Sequence, residues 1–192
     1  MNKNDIKIYL VSLEKDQERR KYLNIKPDYT YAIDGSKLDI DNLKKENIIS
    51  KDCTLKKGEI GCFLSHVHLL NKVVDSNNYT LILEDDAKVP DDLIDKITKV
   101  IENSPKDFEI LFLGYNYYEE YYTFKKNSCV YGTHACLINP KNMTKEKINK
   151  LFPIKKPYDI ILPITFKTYI VIPKIVELND KFGAISNTQG II

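Results

Sequence analysis

The stretch "TLILEDDAKVPDDL", Thr80–Leu93, sets the terms for the whole chain. Thr80, Leu81, Ile82 and Leu83 form a continuous β-branched and apolar run, the pattern of a strand buried on both faces. The run then stops on three carboxylates, Glu84, Asp85 and Asp86. Three adjacent acids repel one another, so they need water, a cation or a chemical task. Pro90 follows as the start of a predicted helix, with Asp91 and Asp92 in its first turn, where the helix dipole favours acids.

Outward from this stretch, short β-rich runs alternate with helical patterns. "IKIYLVSL" (Ile6–Leu13) reads as a buried first strand, and "DQERRKYL" as a short helix with Asp16 as N-cap. "YTYAI" (Tyr29–Ile33) reads as a second strand closed by Asp34-Gly35. In "LKKGEIGCFLSHVHLLNKVV", Ile60, Phe63, Leu64, Val67, Leu70 and Val74 make one helical stripe, while Cys62, Leu69 and Val73 make a second. A helix apolar on two sides is a central one. "FEILFLG" (Phe108–Gly114) and "THACLINP" (Thr133–Pro140) read as further strands, Lys141–Leu151 as a helix, "YDIILPITF" as a short helix and "TYIVIP" as a late strand. Such alternation predicts an α/β sandwich on a mostly parallel sheet. Ligands of such sheets bind outside the carboxyl ends of the strands, which is where Glu84, Asp85 and Asp86 fall.

Bulk properties narrow the function. The 192 residues are 43% hydrophobic, enough for one sizeable core. A net charge of +2, from 29 basic and 27 acidic residues, argues against a dedicated nucleic-acid binder. The four cysteines, Cys53, Cys62, Cys129 and Cys136, form no CxxC pair, which argues against structural zinc. The only apolar run near the start contains Lys7 and is too short for a signal sequence or a membrane span. The expectation is a cytoplasmic protein with reduced thiols, with peripheral membrane association left open.

A strand ending in carboxylates suits a hard cation such as Mn²⁺ or Mg²⁺, which takes oxygen ligands and commonly shares them with a diphosphate. A charge pair about 4 Å apart is worth roughly 4 kcal/mol at an effective dielectric near 20, so a dication offsets much of a leaving diphosphate's charge. The alternative is a solvated acidic turn. Other nucleotide and hydrolase patterns are missing: there is no GxxxxGK[ST] loop, dinucleotide fingerprint, GxSxG elbow or HExxH. His66 lies on the second face of the central helix, either aimed at the site or held in the core by a backbone hydrogen bond.

Several of these stretches together resemble glycosyltransferase family 25, the lipooligosaccharide and procollagen galactosyltransferases. "IYLVSLEKDQERR", "YAIDGSKLD", "LKKGEIGCFLSH", "LILEDDA", "FEILFLG" and "YGTHACLINPK" come in the family's order, the third being the most specific. The resemblance spans most of the chain and is thin after Lys141. It implies a GT-A fold over residues 1–192, a UDP-hexose donor (most often UDP-galactose), Mn²⁺ or Mg²⁺, and inversion at the anomeric carbon. It implies a glycan or a hydroxylysine-type side chain as acceptor. Asp86 is then the direct metal ligand, and Glu84 binds the metal through water or holds the ribose. Asp85, between them, is a further residue of the donor-binding site. Val11, Ser12 and Leu13 are the rest for uridine, and Arg19 or Arg20 faces the donor. Asp34 and Gly35 line the nucleotide pocket. An exposed helix face for Arg19 and an ordinary turn for Asp34-Gly35 are the plain alternatives.

Inverting transfer also needs a carboxylate to take the acceptor's proton, a contribution of about 10²–10⁴-fold. Asp159 in "KPYDIILP" is the candidate, with a simple helix cap as its alternative role and Glu119 and Glu120 as rivals. The five tyrosines of "YNYYEEYYTF", from Tyr115 to Tyr122, offer faces for an acceptor. Family members continue well past the point where this chain ends, which implies a shortened acceptor region. A silent UDP-sugar-binding or scaffold protein of the same fold is therefore the alternative.

Overall fold

The computed structural model describes residues 6–116, 124–126, 131–179 and 181–182. At its centre is a seven-stranded sheet in the order β2-β1-β3-β7-β5-β8-β6. The strands are β1 (Ile6–Val11), β2 (Tyr29–Thr30), β3 (Tyr79–Glu84), β5 (Ile110–Gly114), β6 (Phe124–Lys126), β7 (Ala135–Ile138) and β8 (Thr168–Val171). Five run in one direction; β7 and β6 are antiparallel to their neighbours. Two short strands, β4 (Ala87–Lys88) and β9 (Glu177–Leu178), pair apart from this sheet, just after the acid cluster.

Alternation along each strand splits the apolar side chains between two layers. Tyr9, Ile82, Phe112, Cys136 and Ile138 face a core shared with α3 (Lys57–Val74), α5 (Lys145–Asn149) and α6 (Tyr158–Thr165). Ile8, Leu10, Leu81, Leu83, Leu111 and Leu137 face α4 (Leu93–Asn103) on the other side. Each buried Leu or Ile contributes about 1.5–3 kcal/mol. Helix α4 meets the sheet through Leu93, Ile97 and Ile101, spaced one turn apart. Helix α3 buries Ile60, Phe63, Val67 and Leu70 together with Leu69 and Val73, and so is the central helix its two stripes predicted. The result is an α/β sandwich of GT-A-like type.

Several local expectations shift. The first strand stops at Val11 rather than Leu13, and the second covers only Tyr29–Thr30. Helix α1 spans Gln17–Arg20, and the Asp16 side chain does not cap it. Helix α4 begins at Leu93, not at Pro90, because Pro90 to Leu93 closes a turn first. Asp91 and Asp92 therefore precede the helix, Asp95 is its first-turn acid, and Asp92 pairs with Lys96 at 2.9 Å. The Lys141–Leu151 pattern yields only Lys145–Asn149, capped by the Thr144 hydroxyl. Sequence reading missed α2 (Ile40–Lys45), which Asp39 caps by accepting from the Asn42 N–H. Among the described residues, no helix is long and apolar enough to cross a membrane.

Candidate active site

The carboxyl ends of β1, β2 and β3 meet around a cavity of about 500 Å³. Parallel pairing puts Val11 of β1 directly beside Glu84 of β3, so the first strand and the acid motif end together. Val11, Ser12 and Leu13 form one wall, Ala32 to Ser36 a second, and Glu84, Asp85 and Asp86 a third. The start of α3 supplies Lys56, Lys57, Gly58 and Cys62. Every nucleotide or metal residue singled out from sequence (Val11, Ser12, Leu13, Arg19, Asp34, Gly35, Glu84, Asp85 and Asp86) lines this one cavity.

Two glycines make the second wall possible. A Cβ on Gly61 of α3 would come within 2.8 Å of the Gly35 Cα and of the Ile33 carbonyl oxygen. A Cβ on Gly35 would collide with the Lys57 carbonyl. The Asp34-Gly35 turn therefore lies backbone against backbone on the signature helix. Ser65 ties the two together: its hydroxyl accepts from the Ile33 N–H at 2.8 Å and donates to the Gly61 carbonyl at 2.6 Å. At the head of α3, the Glu59 carboxylate accepts from the Lys56 N–H at 2.7 Å. Asp34 accepts from the Ser36 N–H and hydroxyl, which hold its carboxyl below the usual range.

The three carboxylates are not equivalent. Glu84 Oε1 accepts from the Thr133 hydroxyl at 2.8 Å and lies 3.1 Å from His66 Nε2. Burial alone would raise its pKa, but the His66 and Thr133 contacts outweigh burial and leave it below the ordinary value. Asp85 forms an ion pair with Arg19 Nε at 2.6 Å. Burial nevertheless raises its carboxyl, against the pull of Ser12 and Arg19. Asp86 Oδ2 accepts from Arg19 Nη2 at 3.0 Å, whereas its Oδ1 is buried without a hydrogen-bond partner among the described residues. Burial and the neighbouring Glu84 charge push Asp86 up to about 6.

An orphaned carboxylate oxygen beside a second acid is a fit for a hard divalent cation. Asp86 and Glu84 would hold such an ion, with a diphosphate or water supplying further oxygens. Arg19 thus faces the acids more closely than the open cavity, and Arg20 instead donates to the Leu13 and Glu14 carbonyls. Lys57 Nζ donates to the Leu38 carbonyl at 2.8 Å at the cavity rim.

Asp159 is not part of the cavity lining. It sits in the first turn of α6, where Oδ1 accepts from the Ile160 N–H and Oδ2 from the Gly132 N–H. The Gly132 N–H that it accepts from adjoins Thr133, the partner of Glu84, which places Asp159 near the site. The preceding residue, Tyr158, stacks on the His66 ring with centroids 4.4 Å apart. His66 is therefore neither a backbone-bonded core histidine nor open to solvent: it is buried and bound to Glu84. Tyr115 is also reassigned, because it is buried and its hydroxyl donates to the Val171 carbonyl at 3.0 Å. Glu119, Glu120 and the remaining tyrosines of that segment lie outside the described residues.

Thr133 went unnoticed in the sequence, and nothing local marks it. It reaches Glu84 because β7 is antiparallel to β3, so the start of β7 lies at the carboxyl end of β3. Cys62 belongs to the second apolar stripe of α3 and to the signature string, and its position four residues before His66 is the sequence signal for its place beside Glu84.

Sequence comparison with known proteins points to one family. Mouse and human "Procollagen galactosyltransferase 2" are each 29% identical over 126 residues, which covers 56% of this chain and 20% of theirs. A "Glycosyltransferase 25 family member" of Aedes aegypti is 27% identical over 127 residues, 56% of this chain and 21% of that protein. The chain thus spans about a fifth of the length of these relatives. Residues 5–160, which contain the acid-ended strand and the signature helix, fit "Glycosyltransferase family 25 (LPS biosynthesis protein)", and the chain belongs to that family.

Proposed function

We propose that this protein transfers a hexose, galactose in the simplest case, from a UDP-sugar to an acceptor hydroxyl with inversion and divalent-metal assistance. The observation that carries this reading is the cavity at the ends of β1 to β3, walled by Glu84, Asp85 and Asp86 and edged by Lys15, Lys56 and Lys57. Val11 to Leu13 and the Asp34-Gly35 turn bind the nucleoside in this reading. Lys15, Lys56 and Lys57 face the diphosphate, while Arg19 holds Asp85 and Asp86 beside it. Asp86 Oδ1 and Glu84 hold Mn²⁺ or Mg²⁺, which when bound offsets the charge of the departing UDP. Asp159 takes the acceptor's proton, with the Gly132 and Ile160 N–H groups orienting its carboxylate. The acceptor is a glycan or a hydroxylysine-type side chain, and the reaction is cytoplasmic.

UDP-sugar binding without transfer is the second reading. It is favoured by one observation: both Asp159 oxygens already accept backbone hydrogen bonds. UDP release from UDP-galactose and UDP-glucose, measured with Mn²⁺ and again with EDTA, separates the two. Metal-dependent release supports transfer, and tight UDP binding without turnover supports the silent protein. Absence of both would refute the family-derived activity.

A further inference from the structure

Cys62 and His66 stand one turn apart on α3, on the side that meets the end of β3. The Cys62 thiol, a His66 ring nitrogen and a Glu84 carboxylate oxygen lie within 4.8 Å of one another. We propose that these three side chains form a site for a thiophilic divalent cation of the zinc type, opening onto the donor cavity and sharing Glu84 with it.

The donor set points to this class of ion. One thiolate, one imidazole and one carboxylate leave a fourth tetrahedral position open, the pattern of a zinc site accessible to solvent or ligand. Manganese and magnesium prefer the all-oxygen set around Asp86, so the two sites select different metals. His66 Nε2 and Glu84 Oε1 already face each other at 3.1 Å, and an ion bound there takes the place of the proton between them. Zn–S near 2.3 Å and Zn–N near 2.0–2.1 Å are the distances such a site would close to. The cavity gives access, because Cys62 and Glu84 both line it. Burial and the charges of Glu84, Asp159, Asp86 and Glu59 push the Cys62 thiol up, so an incoming dication, which the same charges attract, must displace its proton.

The test uses the reduced full chain with Co²⁺ as a spectroscopic probe and needs no UDP-sugar, so its outcome is separate from that of the transfer reading. One equivalent of Co²⁺ should give a thiolate-to-cobalt charge-transfer band with tetrahedral visible bands, and one equivalent of Zn²⁺ should bleach them. The band should be lost in Cys62→Ser and kept in Cys53→Ser. Because Cys62→Ser can disturb folding, the wild-type protein supplies a second readout: Zn²⁺ should protect Cys62 from alkylation, followed by peptide mass spectrometry. No charge-transfer band at one equivalent, a band undiminished in folded Cys62→Ser, or unprotected Cys62 would each overturn the proposal.

Discussion

Replacing Gly61 with alanine sets two known effects against each other. In an ordinary helix interior the change stabilises by about 1 kcal/mol, because alanine is the better helix former. Here the new methyl carbon would lie 2.8 Å from three backbone atoms, the Cα and nitrogen of Gly35 and the carbonyl oxygen of Ile33. Backbone atoms cannot rotate aside as a flexible side chain does. The turn must move away from α3, and it is held there by the Ser65 hydroxyl. Overpacking of this kind costs about 1–3 kcal/mol, and the strained backbone hydrogen bond adds to it. The expected net loss is about 1–2 kcal/mol, or about 2–8 °C in melting temperature for a chain of this size. The same displacement shifts Asp34 and Gly35, so UDP affinity should fall as well. Thermal unfolding by circular dichroism and UDP titration by calorimetry read the two effects. A melting temperature equal to or above that of the wild type would refute the close approach of turn and helix.

Asp86→Asn should abolish metal-dependent UDP binding by calorimetry; unchanged binding eliminates Asp86 as a ligand. The same variant should be more stable when metal-free. With its carboxyl raised from 3.8 to about 6, folded Asp86 retains a proton that the unfolded chain releases, so wild-type stability falls as pH rises across that window. At pH 7.5 the neutral asparagine should gain up to about 3 kcal/mol in urea unfolding, and the gain should vanish below about pH 4; a loss at pH 7.5 would contradict the burial of the charge. Asp159→Asn should spare UDP binding and cut transfer by about 10²–10⁴-fold in a UDP-release assay; normal transfer eliminates it as the base. Lys147→Met should cost about 3 kcal/mol in urea unfolding, because it strips the buried Glu109 carboxylate of its 2.5 Å ion pair, while UDP affinity stays unchanged.

The layered architecture and the place of the acid motif were legible because they follow from local periodicity. Leu81 to Leu83 are apolar without alternation, which required a strand covered on both faces. The two stripes of α3 required layers on two sides of that helix. Element boundaries were less legible, since they depend on which backbone groups find partners. The Pro90 helix starts late because a turn intervenes, and the Tyr29 strand is short because only Tyr29 and Thr30 pair with β1. At the site, the acid triplet and the Asp34-Gly35 turn stood out by composition. The roles of Arg19 and His66 did not, because each is defined by a carboxylate 67 or 18 residues away.

By itself the sequence determined that a buried strand ends in carboxylates beside a glycine-bearing central helix, and that strands alternate with helices. Side-chain periodicity and turn chemistry are local properties, so a linear reading reaches them. Only the tertiary structure decided how the three acids divide their work. Antiparallel β7 delivers Thr133 to Glu84, α1 lays Arg19 across Asp85 and Asp86, and α3 turns Cys62 and His66 toward the same strand end. Strand order and side-chain pairing join residues far apart in the chain, and the field at each carboxylate is the sum of those pairings. One acid is therefore held low by hydrogen bonds, one is clamped by a guanidinium, and one keeps a free oxygen.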